Sequence, residues 1–318
     1  MNFAMILEMF PIALMFAAPI IMAALGGLFS ERSGVVNIAL EGIMMVGAFA
    51  GATVTVLLEP VLPGWAPWIG LLAGLAAGML FSLLHAFASI NLKADQVISG
   101  TALNILAGGL TIYLCQIIFR QQRTRAFSSG LRKITVPLLE RIPLVGQMFF
   151  EEIYPTFYVA IALVVLTWYV VFKTPFGLRL RACGEHPQAA ASMGINVYRM
   201  RYAGVVISGA LAGLAGGTMV LTQDIQYTLS TIHGTGFIAL ASLVFGKWSP
   251  WGVLGAGFFF GFAQILSYYT KDISFLASLP QELFYILPYL LTIVALVVFA
   301  GKTVGPKARS DEHTSEIQ

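Results

Sequence analysis

Charge is the scarcest property of this sequence. Asp, Glu, Lys and Arg make up 10% of its 318 residues, against 58% hydrophobic residues and a mean hydropathy of +0.83, which excludes a soluble globular domain and requires an integral membrane protein. Strand-like alternation of apolar and polar residues is missing as well, so a helical bundle is expected over a barrel. There are few cysteines: Cys115 falls in an apolar run and Cys183 in a basic stretch, so no disulfide between them is expected. His85, His186, His233 and His313 lie far apart, and neither HExxH nor another compact metal-ligand spacing occurs. No GxxxxGK[ST] is present, so ATP is not bound in the P-loop manner. Paired acids on facing apolar runs, expected of a proton-driven carrier, are not evident, and an enzyme reading finds no catalytic constellation to carry it. The net charge of +3 comes from basic residues in short connections. It reads as membrane topology, with no nucleic-acid partner implied.

What is present is a succession of apolar runs of about 20 residues, the length that a hydrocarbon layer of about 30 Å asks of a helix. Candidate spans are 10–29, 36–58, 66–90, 97–119, 153–172, 200–222, 236–270 and 283–301. The opening MNFAMILEMF has no positive n-region, so the first is expected to be a retained span. The run 236–270 is too long for one crossing, and Gly246, Pro250, Gly252 and Gly255 around Lys247 and Trp248 mark a turn at 246–250. Its first piece, 236–246, is too short to cross easily and is expected to re-enter or to pack among other helices. GxxxG spacing recurs at Gly47/Gly51, Gly70/Gly74/Gly78, Gly209/Gly213 and Gly257/Gly261, fitting a tight core without specifying its pairings. The expected fold is an all-α polytopic bundle of about eight spans, one transmembrane domain over 1–301, followed by a polar, disordered tail over 302–318.

The break in the apolar pattern that looks built to touch something in water is Lys173–Arg201, KTPFGLRLRACGEHPQAAASMGINVYRMR, with Lys173, Arg179, Arg181, Arg199 and Arg201 around a short helical core. Pro187 suits a first helical turn and Gly194 a left-handed cap, which predicts a helix over about 186–193. GEHPQAAASMGINVYRMR followed by SGALAGLAGG resembles the coupling segment of ATP-binding-cassette (ABC) importer permeases, in the branch serving branched-chain amino acids, simple sugars and nucleosides. The nucleoside-type permeases look nearest. ERSGVVNIALEGIMMVGAFAGA at 31–52 and GFIALASLVFGKWSPWGVLGAGFFFG at 236–261 are similar to the same family. The resemblance implies a permease subunit whose coupling segment, about 177–200, enters a cleft of a separate ATPase chain. Glu185, His186, Pro187, Ala190, Met193 and Gly194 would form that docking piece. It further implies an extracellular substrate-binding lipoprotein and a second homologous permease, this chain being the smaller partner because no further span precedes residue 10. No cofactor is expected on this chain, ATP and Mg belonging to the ATPase. ABC permeases for sugars or branched-chain amino acids share the scaffold. An ion-coupled carrier is the alternative from another class, for which an inverted repeat is wanted and none is seen in the sequence.

With Lys173–Arg201 cytoplasmic, 30–35, 91–96, 246–250 and the tail from Lys302 fall inside, and 59–65, 120–152, 223–235 and 271–282 fall outside. The C-terminus is then cytoplasmic. Arg120, Arg123, Arg125, Arg132 and Lys133 run against the charge rule, which weakens for a loop this long. The middle of that loop, TVPLLERIPLVGQMFFEEI, is expected along the outer membrane surface. Within the spans, Asn37 and Glu41 are four residues apart and hence expected on one helical face. An acid at membrane depth faces a cavity or a partner group, or else holds a helix start. Asn37, Glu41, Gln96, Asn104, Phe237 and Gln264 are the candidate lining of a substrate pathway, amides suiting base edges and hydroxyls and rings stacking on a base.

Overall fold

The computed structural model describes residues 3–137 and 139–268, with positions 290, 305 and 306. The expected span 283–301, the loop 271–282 and the tail are outside the described residues apart from those isolated positions. All regular elements among the described residues are helical: α1 (Phe3–Arg32), α2 (Leu40–Leu58), α3 (Ala66–Ala86), α4 (Gln96–Phe119), α5 (Val145–Phe149), α6 (Pro155–Lys173), α7 (Pro175–Glu185), α8 (Pro187–Ser192), α9 (Val197–Thr222), α10 (Thr235–Phe245) and α11 (Pro250–Tyr268). Helix α3 runs on through a π-helical turn, Phe87–Asn91. Six helices, α1 to α4, α6 and α9, are long and apolar enough to cross a membrane.

Helix α1 is the axis of the bundle, with Leu14, Ile20, Ile21, Met22, Leu25 and Leu28 fully buried. Helices α2, α3 and α9 cross almost backbone to backbone. A Cβ on Gly47 would run into the main chain of Gly213, and one on Gly213 would lie 2.8 Å from the Cα of Gly78. The small residues read as weak motifs in the sequence therefore have definite partners, and dispersion between close backbones holds the helices where water exclusion cannot.

Two long helices are each followed by a non-helical stretch that turns back into the bundle. After α1 the chain returns far enough for Asn37 to bond Ser208, whose carbonyl faces Gly26 of α1. After α9, residues 223–234 fold inward: the Tyr227 hydroxyl donates to Thr111 at 2.9 Å and its ring meets Phe49 at 5.8 Å. Tyr227, Thr231 and Ile232 are thus buried in the bundle, while Ile225 and Leu229 of the same segment stay exposed. Helix α10 then runs beside the last turns of α1, Ile238 packing with Ile20 and Leu243 against Gly27. At eleven residues it is about 16 Å long, half a bilayer. The short piece predicted at 236–246 is this helix, packed among α1, α2 and α11.

The long loop before α6 has two parts. Its first half is tied to the bundle, with Phe127 N–H donating to Ile225 O at 2.9 Å and Leu131 N–H to Leu221 O at 3.0 Å. Glu59, at the end of α2, accepts from Ser128 N and Oγ and from Ser129 N at 2.5–2.8 Å. These bonds, the Ser128 hydroxyl foremost, hold its carboxyl below the usual range. Only the later part, with Leu139, Ile142, Leu144 and Val145 exposed, presents an apolar face.

Candidate coupling segment and buried helix junction

The basic stretch contains two helices where one was expected. Thr174 Oγ accepts from Gly177 N–H at 3.2 Å and Pro175 sits in the first turn, so α7 starts immediately after α6. His186, at φ −144°, breaks the helical run and leaves α8 only Pro187–Ser192. Gly194 closes it at φ +79°, as its sequence position indicated. The six predicted docking residues divide by orientation. Pro187 and Ala190 are buried, Ala190 clustering with Cys183 and Val197. They pack α8 against α7 and the first turn of α9, and burial also pushes the Cys183 thiol up. His186 and Gly194 are exposed, and Met193 is 82% exposed. Glu185 Oε1 lies 3.9 Å from Arg32 Nη1. Leu178, 62% exposed on the same segment, was not singled out from the sequence. Its signal there was an apolar residue set in an otherwise basic stretch.

Four of the polar residues singled out inside the spans, Asn37, Glu41, Gln96 and Asn104, gather around the start of α2, where Glu41 also meets the start of α10. Glu41, in the first turn of α2 and 5% exposed, accepts from Gly234 N–H at 2.8 Å and from Gly236 N–H at 2.7 Å. Its carboxylate satisfies the first amides of α10, which no helical carbonyl can reach. Asn104 Oδ1 accepts from Gly42 N–H at 2.7 Å while its Nδ2 donates to Ile38 O at 3.0 Å. Gln96 Oε1 accepts from Val36 N–H at 2.7 Å. His85 was not among the site predictions. Its Nε2 lies 2.9 Å from Val36 O, which can only accept, so Nε2 carries the proton and Nδ1 accepts from Ser99 Oγ at 3.1 Å. Asn37 and Glu41 do not share a helical face, because α2 begins at Leu40 and Asn37 lies in the return segment. Phe237 is 47% exposed in the first turn of α10, and Gln264 is half-buried on α11, apart from this group.

At the far end of α10 the turn 246–249 is pinned to α1. Trp248 Nε1–H donates to Glu31 Oε2 at 2.7 Å, and Arg32 Nη2 donates to Trp248 O at 2.9 Å. A family model described as "Branched-chain amino acid transport system / permease component" matches residues 10–296. The chain belongs to this family of permeases. It is 50% identical to the guanosine ABC transporter permease protein NupQ of Bacillus subtilis, over 94% of this chain and 93% of that one. It is 41% identical to the nucleoside ABC transporter permease protein NupC of Lactococcus lactis, over 93% of each. A second Bacillus subtilis protein, the guanosine ABC transporter permease protein NupP, is 28% identical over 78% of this chain and 70% of its own length.

The permease is thus a multi-pass membrane subunit of an ABC transporter, a transport component and not an enzyme, which works with an ATPase and a substrate-binding partner. In its 246–249 turn Lys247 and Trp248 are successive left-handed residues, each at φ +51°. L side chains adopt that region at a cost of about 1–2 kcal/mol. Lys247 is exposed, so Lys247→Gly is expected to relieve strain without losing a packed side chain. Thermal unfolding in detergent should show a stabilisation of about 1 kcal/mol.

Proposed function

We propose that this permease takes up nucleosides as part of an ATP-driven importer. The observation that carries the reading is the 50% identity to a guanosine permease along nearly the full length of both chains, joined by the 41% identity to a nucleoside permease. An extracellular lipoprotein would deliver the nucleoside, and ATP with Mg would be bound by the separate ATPase. Because NupQ and NupP of one organism are both guanosine permeases and differ in likeness to this chain, the transporter is proposed as a heterodimer of this chain and a second, homologous permease.

Residues about 177–200 are proposed to face the ATPase from the cytoplasmic side, which also places the C-terminus inside. In the docking piece, His186, Met193 and Gly194 would make the contact while Pro187, Ala190 and Glu185 hold the segment to the membrane domain. Exposed Met193, an apolar side chain at a polar end, supports this assignment. Phe237 is proposed as the aromatic surface of the pathway, with Asn37, Glu41, Gln96 and Asn104 shaping it through the return segments and Gln264 on α11 lining it further along.

The test is nucleoside-stimulated ATP hydrolysis in vesicles holding the ATPase, both permeases and the lipoprotein. Wild type should be stimulated. Met193→Arg with Glu185→Ala should still assemble and lose stimulation by tenfold or more. Nucleoside movement by this chain alone down an ion gradient, with no ATPase, would overturn the reading.

A further inference from the structure

The 246–249 turn is held by groups that have no part in substrate binding or ATPase contact, and they lie between the two regions where the transporter must act. Arg32, the last residue of α1, uses its guanidinium fork in two directions. Nη1 faces Glu185 Oε1 at 3.9 Å, at the junction of α7 and α8, and Nη2 donates to Trp248 O at 2.9 Å. The preceding residue, Glu31, is 4% exposed and accepts from the indole N–H of Trp248, itself 2% exposed. Helix α7 abuts the same point, since a Cβ on Gly184 would lie 2.9 Å from the carbonyl carbon of Arg32.

We propose that Glu31, Arg32 and Trp248 form a latch through which displacement of the α7–α8 segment is delivered to α10. The inference rests on the coupling reading of that segment. Helix α10 is gripped at both ends, by the latch at Trp248 and by Glu41 at Gly234 and Gly236. A movement at Glu185 therefore reaches the first turn of α2 through one short rigid helix. Two successive left-handed residues at Lys247 and Trp248 fit such a role, because conformations of this kind persist only where surrounding contacts impose them. Glu31, Arg32 and Trp248 act as positioning residues, since none touches the transported solute.

The experiment uses the complete transporter in vesicles with Arg32→Lys and Trp248→Phe, and reads nucleoside moved per ATP hydrolysed. A single lysine ammonium cannot bridge Glu185 and Trp248 O together, and phenylalanine keeps a ring but loses the indole N–H. The ratio should fall at least threefold in both variants while ATP hydrolysis continues. Loss of assembled complex lowers both quantities and leaves the ratio where it was, so a merely structural role would not move it. Hydrogen exchange of the same complexes should show faster exchange at Gly246–Ser249 in Arg32→Lys. An unchanged ratio in Arg32→Lys, or unchanged exchange there, overturns the latch, and if Trp248→Phe does not assemble, Arg32→Lys alone decides. A wild type whose ATP hydrolysis ignores nucleoside overturns the functional reading instead, and the exchange result still decides the latch.

Discussion

Glu41→Ala is expected to prevent the permease from accumulating in folded form. The carboxylate makes two charge-assisted hydrogen bonds to the first amides of α10, in a position 5% exposed to solvent. Each such bond contributes about 1.5–3 kcal/mol, and alanine would leave the Gly234 and Gly236 amides buried without the acceptor they now have. A loss of about 4 kcal/mol is a large share of the ~5–15 kcal/mol that ordinarily separates folded from unfolded protein. Glu41→Gln should be intermediate, because its one carbonyl oxygen can accept from one amide while its NH2 opposes the other. The monodisperse, folded fraction after detergent extraction is the measurement. Glu41→Ala that folds like wild type and loses transport alone would make Glu41 a pathway group and remove its role as a cap.

Gly213→Ala and Gly109→Ala should have opposite effects although both replace a helical glycine. At Gly213 a methyl group would press on the main chain of Gly74 and lie 2.8 Å from Gly78 Cα, so α3 and α9 would have to part. Overpacking at a site that cannot yield costs about 1–3 kcal/mol or more. Backbone against backbone is the least yielding case, and about 3 kcal/mol is expected here. At Gly109, on the exposed face of α4, nothing lies within 4 Å. Alanine there should add up to about 1 kcal/mol through helix propensity. Denaturation midpoints of the two variants beside wild type give the comparison. Equal shifts would mean that the α2–α3–α9 crossing is looser than described.

Sequence reading succeeded where a local rule operates. Apolar run length located the crossing helices, Gly194 announced a left-handed cap, and the cluster around Lys247 and Trp248 marked the turn that ends α10. It was less successful where one segment depends on another distant in the chain. Glu41 was recognisable as an acid too deep to be idle, yet its partners, Gly234 and Gly236, lie almost 200 residues away and offer backbone amides, which carry no side-chain signature. Asn104, Gln96 and His85 likewise bind main-chain atoms of 36–42. An amide that caps a distant helix and one that lines a pathway look alike in sequence. The Glu31–Trp248 bond was missed for a similar reason, since nothing local pairs an acid at the end of one helix with an indole in a turn far along the chain.

Hydropathy and helix length are properties of consecutive residues, so membrane residence, the helical class and the position of the polar stretch 173–201 were legible in the chain alone. The inward return of 33–39 and 223–234, running in opposite directions to start α2 and α10 inside the bundle, was not. Nor was the division of the proposed coupling segment into a buried side at Pro187 and Ala190 and an exposed side at Met193. Both follow from which backbones approach closely enough to satisfy one another's hydrogen bonds in an apolar interior. That is a property of packed helices in three dimensions, and the order of residues along any one of them does not contain it.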